Sequence, residues 1–514
     1  MLFNSYIFVF LFFPICLLGY YSLLGLRRTG IAKIFLIGMS FWFYGYFNMA
    51  YLLIMICSIG GNYVLHRILS RKPRRIVMIL AAAVNLGILF YFKYFDFFIS
   101  TVNSVFGASV ALRHILLPLG ISFFTFQQIS FIVDTYRGEV RDCSPVDYAL
   151  FVSFFPQLIA GPIVNHGEML PQFKQIGKGS VLWDQIAEGL GLFILGLAKK
   201  VLIADILGTG VDYGYANTAL LGRLDAILVI VSYSLQLYFD FSGYCDMARG
   251  IGKMLGIEIP VNFNSPYKAV NIIDFWKRWH ITLNRFFTGY VYIPLGGSRR
   301  GRARTYLNLM IVFLLSGLWH GAGWNYLVWG AMHGMLYILT RLWQEEIKPR
   351  YIREKAADQA TQEIQAVRTA AKAIPGRLRR IFMTFVSRIL LFIYISVAWV
   401  YFRAQDVAQA NRMLYTAVKG PWQKISAKLA ACFQVDEFWY VIKVLRLDNR
   451  AYSGYILMWV ILAAGLYFAM IGENAAERMG HVKYKAGSAA VFAVLALWCV
   501  LTFSEVSTFL YFNF

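Results

Sequence analysis

The chain has 514 residues, of which 59% are hydrophobic, 17% aromatic and only 15% charged, with a mean hydropathy of +0.57. That balance excludes a water-soluble, disordered, collagen-like or small secreted protein and points to one polytopic membrane unit. Lys and Arg (49) outnumber Asp and Glu (27), giving a formal charge of +22. The basic residues stand in short clusters between apolar runs, as cytoplasmic loops do under the positive-inside rule. No basic groove with interleaved aromatics accompanies them, so nucleic acid is not an expected partner.

The first apolar run, Leu2 to Leu26, has no basic residue before it and Arg27-Arg28 after it. This is the reverse of a cleavable signal peptide, so the run is expected to persist as a first membrane helix that starts outside. Runs at about 31 to 47, 49 to 69 and 77 to 100 follow. With Arg27-Arg28 in the cytoplasm, the second helix returns outward and the third carries Arg71 to Arg75 to the cytoplasmic side as well.

Segments around 116 to 161 and 270 to 295 are short of the ~20 residues that cross ~30 Å of hydrocarbon, and are expected to be re-entrant or interfacial. Pro156, Gly161 and Pro162 interrupt the run from Phe151 to Val164, which suits a broken helix bordering a cavity. Later runs, from 184 to 206 onward to 486 to 505, bring the expectation to roughly eleven to thirteen crossings. Lys199-Lys200, Arg299 to Arg304 and Arg377 to Arg380 read as further cytoplasmic loop clusters. The polar stretch Gln344 to Arg380 reads as a cytoplasmic surface helix that connects rather than acts. With no internal repeat or extramembrane domain, the expected fold is all-α: a single multi-pass helix bundle over residues 1–514, in the cell membrane and in contact with its lipid.

Familiar soluble chemistry is missing. The six cysteines are scattered with no C-x-x-C pair, and the seven histidines form no zinc pattern, so no metal and no tightly bound cofactor are expected. Gly252-Lys253 is followed by Met254 and has Met247 where a phosphate-binding loop needs Gly. No G-x-S-x-G elbow exposes a serine.

What remains is a polar concentration between about Leu235 and Gly334, where ionisable residues interrupt apolar sequence and are functional candidates by default. His320 lies at a helix junction lined by Trp319 and Trp324; imidazole there suits proton removal from a hydroxyl. The plain alternative is a histidine hydrogen-bonded in the bundle core. His280 ends Asp274-Phe-Trp-Lys-Arg-Trp-His, where Trp276 and Arg278 could border a tunnel for an anionic or planar donor, or simply anchor the segment at the interface. His333, among small residues, reads as packing. Asp240 and Asp246 lie on different faces of one helix and are expected to orient a histidine or an arginine such as Arg278.

The strings FPQLIAGPI, FDFSGYCDMA, FWKRWHITL, YIPLGG and GLWHGA occur in the order seen in the membrane-bound O-acyltransferase family, which this chain resembles from Met1 to about Gly334 and again at Trp399 to Ala404. The opening MLFNSYIFVFLFFPICLLGYY is similar to the family's bacterial alginate O-acetylation branch. The resemblance implies an acyl thioester donor from the cytoplasm (acetyl-CoA or an acyl carrier protein), a tunnel through the bundle and catalytic roles for His320 and His280. Trp276, Arg278, Trp279 and Trp319 would then bind donor or line the tunnel. Asp240, Ser242, Tyr244 and Asp246 would be orienting or structural. The implied acceptor is a glycan, reached directly or through an extracytoplasmic partner of the SGNH-hydrolase type. NRFFTGY (Asn284 to Tyr290) lacks the Arg-Asp pair that often precedes the Y-x-Y-I-P-L-G-G string in that branch, so D-alanyl transfer to teichoic acid and acetylation of peptidoglycan or another exopolysaccharide stay open. A transporter or flippase of polysaccharide precursors is the rival of another class, against which stands the absence of duplicated halves.

Overall fold

The computed structural model describes residues 1–178, 183–347, 376–435, 443–444, 446, 452–483, 485–504 and 509–510. Among them every regular element is helical. Among the described residues six helices are long and apolar enough to cross a membrane: Phe8–Gly25, Met49–Arg71, Arg75–Phe106, Arg223–Met254, Arg379–Arg403 and Ser453–Met470. Thr29–Gly45 and Ala486–Leu501 are shorter apolar helices. The chain is thus an all-α, multi-pass membrane protein. Residues 344–347 and 376–380 are described as helix, whereas the rest of the expected surface helix from Gln344 to Arg380 lies outside the described residues.

Arg223–Met254 is the central post. Its most apolar window is 78% buried, against 17% to 33% for the other five, whose exposed faces carry Phe10, Leu18, Leu53 and Leu80. Such outward apolar faces suit lipid, where helices satisfy their own backbone groups. Small residues let the Trp183–Ala198 helix lie directly on this post. A Cβ at Gly196 would stand 2.6 Å from the Gly243 carbonyl oxygen, and one at Gly250 2.5 Å from that of Gly189. Close backbone approach of this kind is how helices associate where lipid offers no hydrophobic drive.

One loop expectation is corrected here. Lys199 and Lys200 do not sit in a loop: they open a π-helical turn, Lys199–Ala204, that continues Trp183–Ala198 into Asp205–Ala216, and Lys200 is 1% exposed. Carboxylates on neighbouring turns and on the central post hold both lysines inside.

The apolar run before residue 165 folds as short pieces. Ile121–Tyr136 is almost wholly buried, and Pro145–Ser153 breaks at Phe154 before Phe155–Leu158. Pro156 and Gly161 sit in that broken stretch, where a Cβ on Gly161 would stand 2.4 Å from the Gln157 Cα. All six cysteines are free.

Candidate active site

The Arg302–His320 and Trp324–Leu342 helices form a hairpin, and His320 is the last residue of its first arm. Gly317 and Gly321 make that hairpin possible. A Cβ at Gly317 would stand 2.3 Å from the Tyr326 carbonyl oxygen, and one at Gly321 2.0 Å from the Tyr326 ring. The arms therefore close over His320, which is 2% exposed. Its ring lies 4.9 Å from that of Trp319, 5.2 Å from Trp329 and 5.0 Å from Phe402. Asn325 fixes the second arm by donating to the carbonyls of Tyr401 and Ala404, at the end of the Arg379–Arg403 helix.

His280 forms the facing wall, with its ring centroid 6.3 Å from that of His320 and 6.0 Å from Trp319. Forty positions separate the two histidines in sequence. His280 caps the Ile281–Phe287 helix with φ +46°, in the left-handed region that residues with a side chain seldom adopt. Backbone strain of this kind persists where the surroundings over-determine it, often at functional sites.

Asn262 assigns the proton on His280. Asn262 Oδ1 accepts from the Thr282 backbone N–H (3.2 Å) and hydroxyl (2.9 Å), and an N–H cannot be anything but a donor. The same oxygen lies 3.2 Å from His280 Nδ1, which must therefore donate to it. The neutral ring then keeps its basic lone pair on Nε2. The Thr282 hydroxyl is itself oriented by accepting from the Ile163 N–H at 2.9 Å.

The tryptophans named from sequence are packed walls. Trp276 lies against Phe313, Trp329 and His333, with its ring 5.1 Å from His333. Trp279 packs on Phe263, Phe275 and Trp399. Trp319 alone of the three touches both His280 and His320. Arg278 sits apart and partly exposed, bound to Asp274 at 2.8 Å. His333, fully buried among Trp276, Trp329 and Trp399, fits the packing expectation.

The main partners of Asp240 and Asp246 are lysines. Neither carboxylate is paired with a histidine or with Arg278. Asp240 meets Lys200 at 2.8 Å and accepts from the Leu510 N–H at 3.0 Å; Asp246 meets Lys199 at 2.6 Å and Arg249, on its own helix, at 4.0 Å. Lys200 also bonds Asp205 at 2.7 Å. A buried carboxylate is stable only when paired, and the nearest cations are on the adjacent helix rather than at the histidines. Ser242 and Tyr244 are buried on the same post, Tyr244 stacking on Phe3 at 4.9 Å.

Three features escaped the sequence. Lys93 reaches the end of the His320 helix, and its signal was a single cation in the run Phe90-Tyr-Phe-Lys-Tyr. Asn262 carries no motif signal at all. The third is a cavity of about 320 Å³ lined by Ser130, Asp134, Asn165, Thr282, Arg285 and Tyr290 among others. Asp134, 1% exposed, is its hub: it accepts from Tyr290 at 2.5 Å and lies 3.1 Å from His166 Nδ1 and 3.4 Å from Arg137. No metal was expected, yet folding gathers ligand atoms of Asp134, Glu139 and His166 within 4.8 Å of one another. These residues lie in two separate segments, which spacing rules do not join. Thr282 links the cavity wall to Asn262 and so to His280.

Residues 88–357 match the family model described as MBOAT, the membrane-bound O-acyltransferase family. The chain is 40% identical over 444 residues to a peptidoglycan O-acetyltransferase of Helicobacter pylori, covering 80% of this chain and 79% of the relative. It is 36% identical over 436 residues to a probable alginate O-acetylase of Pseudomonas aeruginosa, covering 82% and 76%. A teichoic acid D-alanyltransferase of Bacillus subtilis is 30% identical over 251 residues, or 45% of this chain and 61% of that one.

Proposed function

The chain belongs to the membrane-bound O-acyltransferase family and is an acyltransferase, and from that premise we propose that it moves an acetyl group from a cytoplasmic thioester to a cell-surface or exported polysaccharide. The donor is acetyl-CoA or an acetylated carrier protein, and the protein sits in the cell membrane. An extracytoplasmic transferase of the SGNH type passes the acetyl group on to the glycan. The observation that carries this reading is the meeting of His280 and His320, two buried histidines whose rings lie 6.3 Å apart among aromatics. Acetyl is favoured over D-alanyl because the acetylating relatives match about four fifths of the chain and the D-alanyl relative 45%.

His320 acts as the general base. A hydroxyl oxygen forms a bond to the thioester carbonyl carbon while its proton passes to His320; the C–S bond then breaks, and the leaving thiolate recovers that proton. Proton transfer by a positioned group typically contributes 10²- to 10⁴-fold. His280, with Nε2 as its acceptor nitrogen, supports the same centre from the facing wall, and Trp319 packs against both. The cavity at Asp134 and Tyr290 reaches Thr282, two hydrogen bonds from His280, and serves as the donor's approach. In topology, the N-terminus lies outside, with Arg71 to Arg75 and the 344–380 insert in the cytoplasm.

The test is purified protein in lipid vesicles given acetyl-CoA labelled in the acetyl group, with its polysaccharide and partner. Label in base-labile esters on the glycan, with one free thiol per ester, is expected. Folded protein that releases no thiol from acetyl-CoA or an acetylated carrier, yet transfers D-alanine from its carrier, would replace this reading with the D-alanyl one.

A further inference from the structure

The helix that carries His320 ends on that residue, and a helix end leaves its last carbonyls without intrahelical partners. Two consecutive side chains of the Arg75–Phe106 span fill that gap. The Tyr94 hydroxyl donates to Leu318 O at 2.9 Å, and Lys93 Nζ donates to Trp319 O at 2.5 Å and to His320 O at 3.4 Å. Lys93 also lies 3.4 Å from Ser122 Oγ and 5.7 Å from the centre of the Trp319 ring. A π-helical turn, Phe90–Tyr94, is what turns both residues to the same helix end. Such turns inside α-helices recur at functional sites.

The partners of Lys93 are neutral oxygens and the rings of Trp319 and Tyr94. Among the described residues no carboxylate pairs with it, although Lys199 and Lys200 have three between them. A cation inside a membrane helix is costly and is kept where it acts.

Resting on the His320 reading above, we propose that Lys93 is a positioning residue for acyl transfer. Its fixed ammonium holds the last turn of the Arg302–His320 helix and thereby the imidazole. It also supplies a positive charge beside the centre where the thioester carbonyl oxygen becomes negative. Charge placed in advance at a developing oxyanion lowers the barrier without reorganisation, and loss of one such donor typically costs 10²- to 10³-fold in rate. Tyr94 completes the clamp.

The test uses the full chain in vesicles with acetyl-CoA as donor and compares Lys93→Met, Lys93→Gln, Lys93→Arg and Tyr94→Phe, each checked for monodispersity and melting temperature, with His320→Ala run in parallel. Lys93→Met and Lys93→Gln should lose about 100-fold in kcat while the KM for acetyl-CoA stays within about twofold. Lys93→Arg keeps the charge and should recover at least a tenth of wild-type kcat, and Tyr94→Phe should lose about tenfold. A merely structural lysine would change melting and yield without this split and without rescue by Arg. Where Lys93→Met fails to fold, Gln against Arg decides. A folded Lys93→Met or Lys93→Gln with wild-type kcat, beside an inactive His320→Ala, overturns the role of Lys93 and leaves the His320 reading standing. An active His320→Ala overturns both.

Discussion

Around Asp240, each charge meets its opposite: Lys200 lies between Asp205 and Asp240, and Lys199 reaches Asp246. Around His320 the polar groups are imidazoles walled by Trp319, Trp329 and Phe402, and the nearby cation, Lys93, holds on to carbonyls. Both regions spend polar groups in an apolar interior, but to different ends. Closed pairs tie helices together and have no capacity left for chemistry; groups without opposite charges are what a reaction can use.

The largest effect should come from opening the closed region. Lys200→Met strands Asp205 and Asp240, and breaking a buried pair costs about 3 to 5 kcal/mol. Folded yield and melting temperature should collapse, while the surviving folded fraction keeps its activity per molecule. A stable variant with lost activity would place Asp240 in the chemistry after all.

Next comes the hairpin that carries His320. Gly317→Ala drives a methyl to 2.3 Å from a backbone oxygen that cannot swing aside. Overpacking of that kind costs about 1 to 3 kcal/mol. Activity should fall more than stability, because the displaced arm bears His320. Unchanged activity in a melted-down but folded variant would detach the hairpin from the site.

An effect of similar size should follow at Asn262. Asn262→Leu leaves the Thr282 N–H and His280 Nδ1–H without their shared acceptor, a loss of about 1 to 3 kcal/mol. Asn262→Asp keeps the acceptor and should retain more kcat than the Leu variant at matched folded yield. Equal losses would mean that His280's proton assignment does not matter. The smallest change belongs to Arg285→Ala at the cavity rim: its half-exposed pair with Glu168 is worth about 0 to 1 kcal/mol. Melting should hardly move, which a thermal scan checks.

The bundle and its motifs were legible because hydropathy and local strings are properties of consecutive residues. His320 and His280 could each be named, but their approach from separate helices could not be read along the chain. Lys199 and Lys200 look like a loop cluster in sequence, since the carboxylates that bury them belong partly to a helix 40 residues on. The same blindness hid the lysine partners of Asp240 and Asp246. Lys93 escaped because one cation among aromatics carries no pattern, and its meaning appears only where a π-turn aims it at another helix end.

The most direct measurement is the rate of acetyl transfer by His320→Ala and His320→Gln, in protein that reaches the membrane at wild-type level with wild-type melting. Catalysis through His320 predicts a loss of about 10² to 10⁴ for both variants, or roughly 3 to 5 kcal/mol in the barrier, since Gln can keep a hydrogen bond but cannot take a proton. A well-folded variant that transfers acetyl within a few-fold of the wild-type rate would contradict it and return His320 to the packed core.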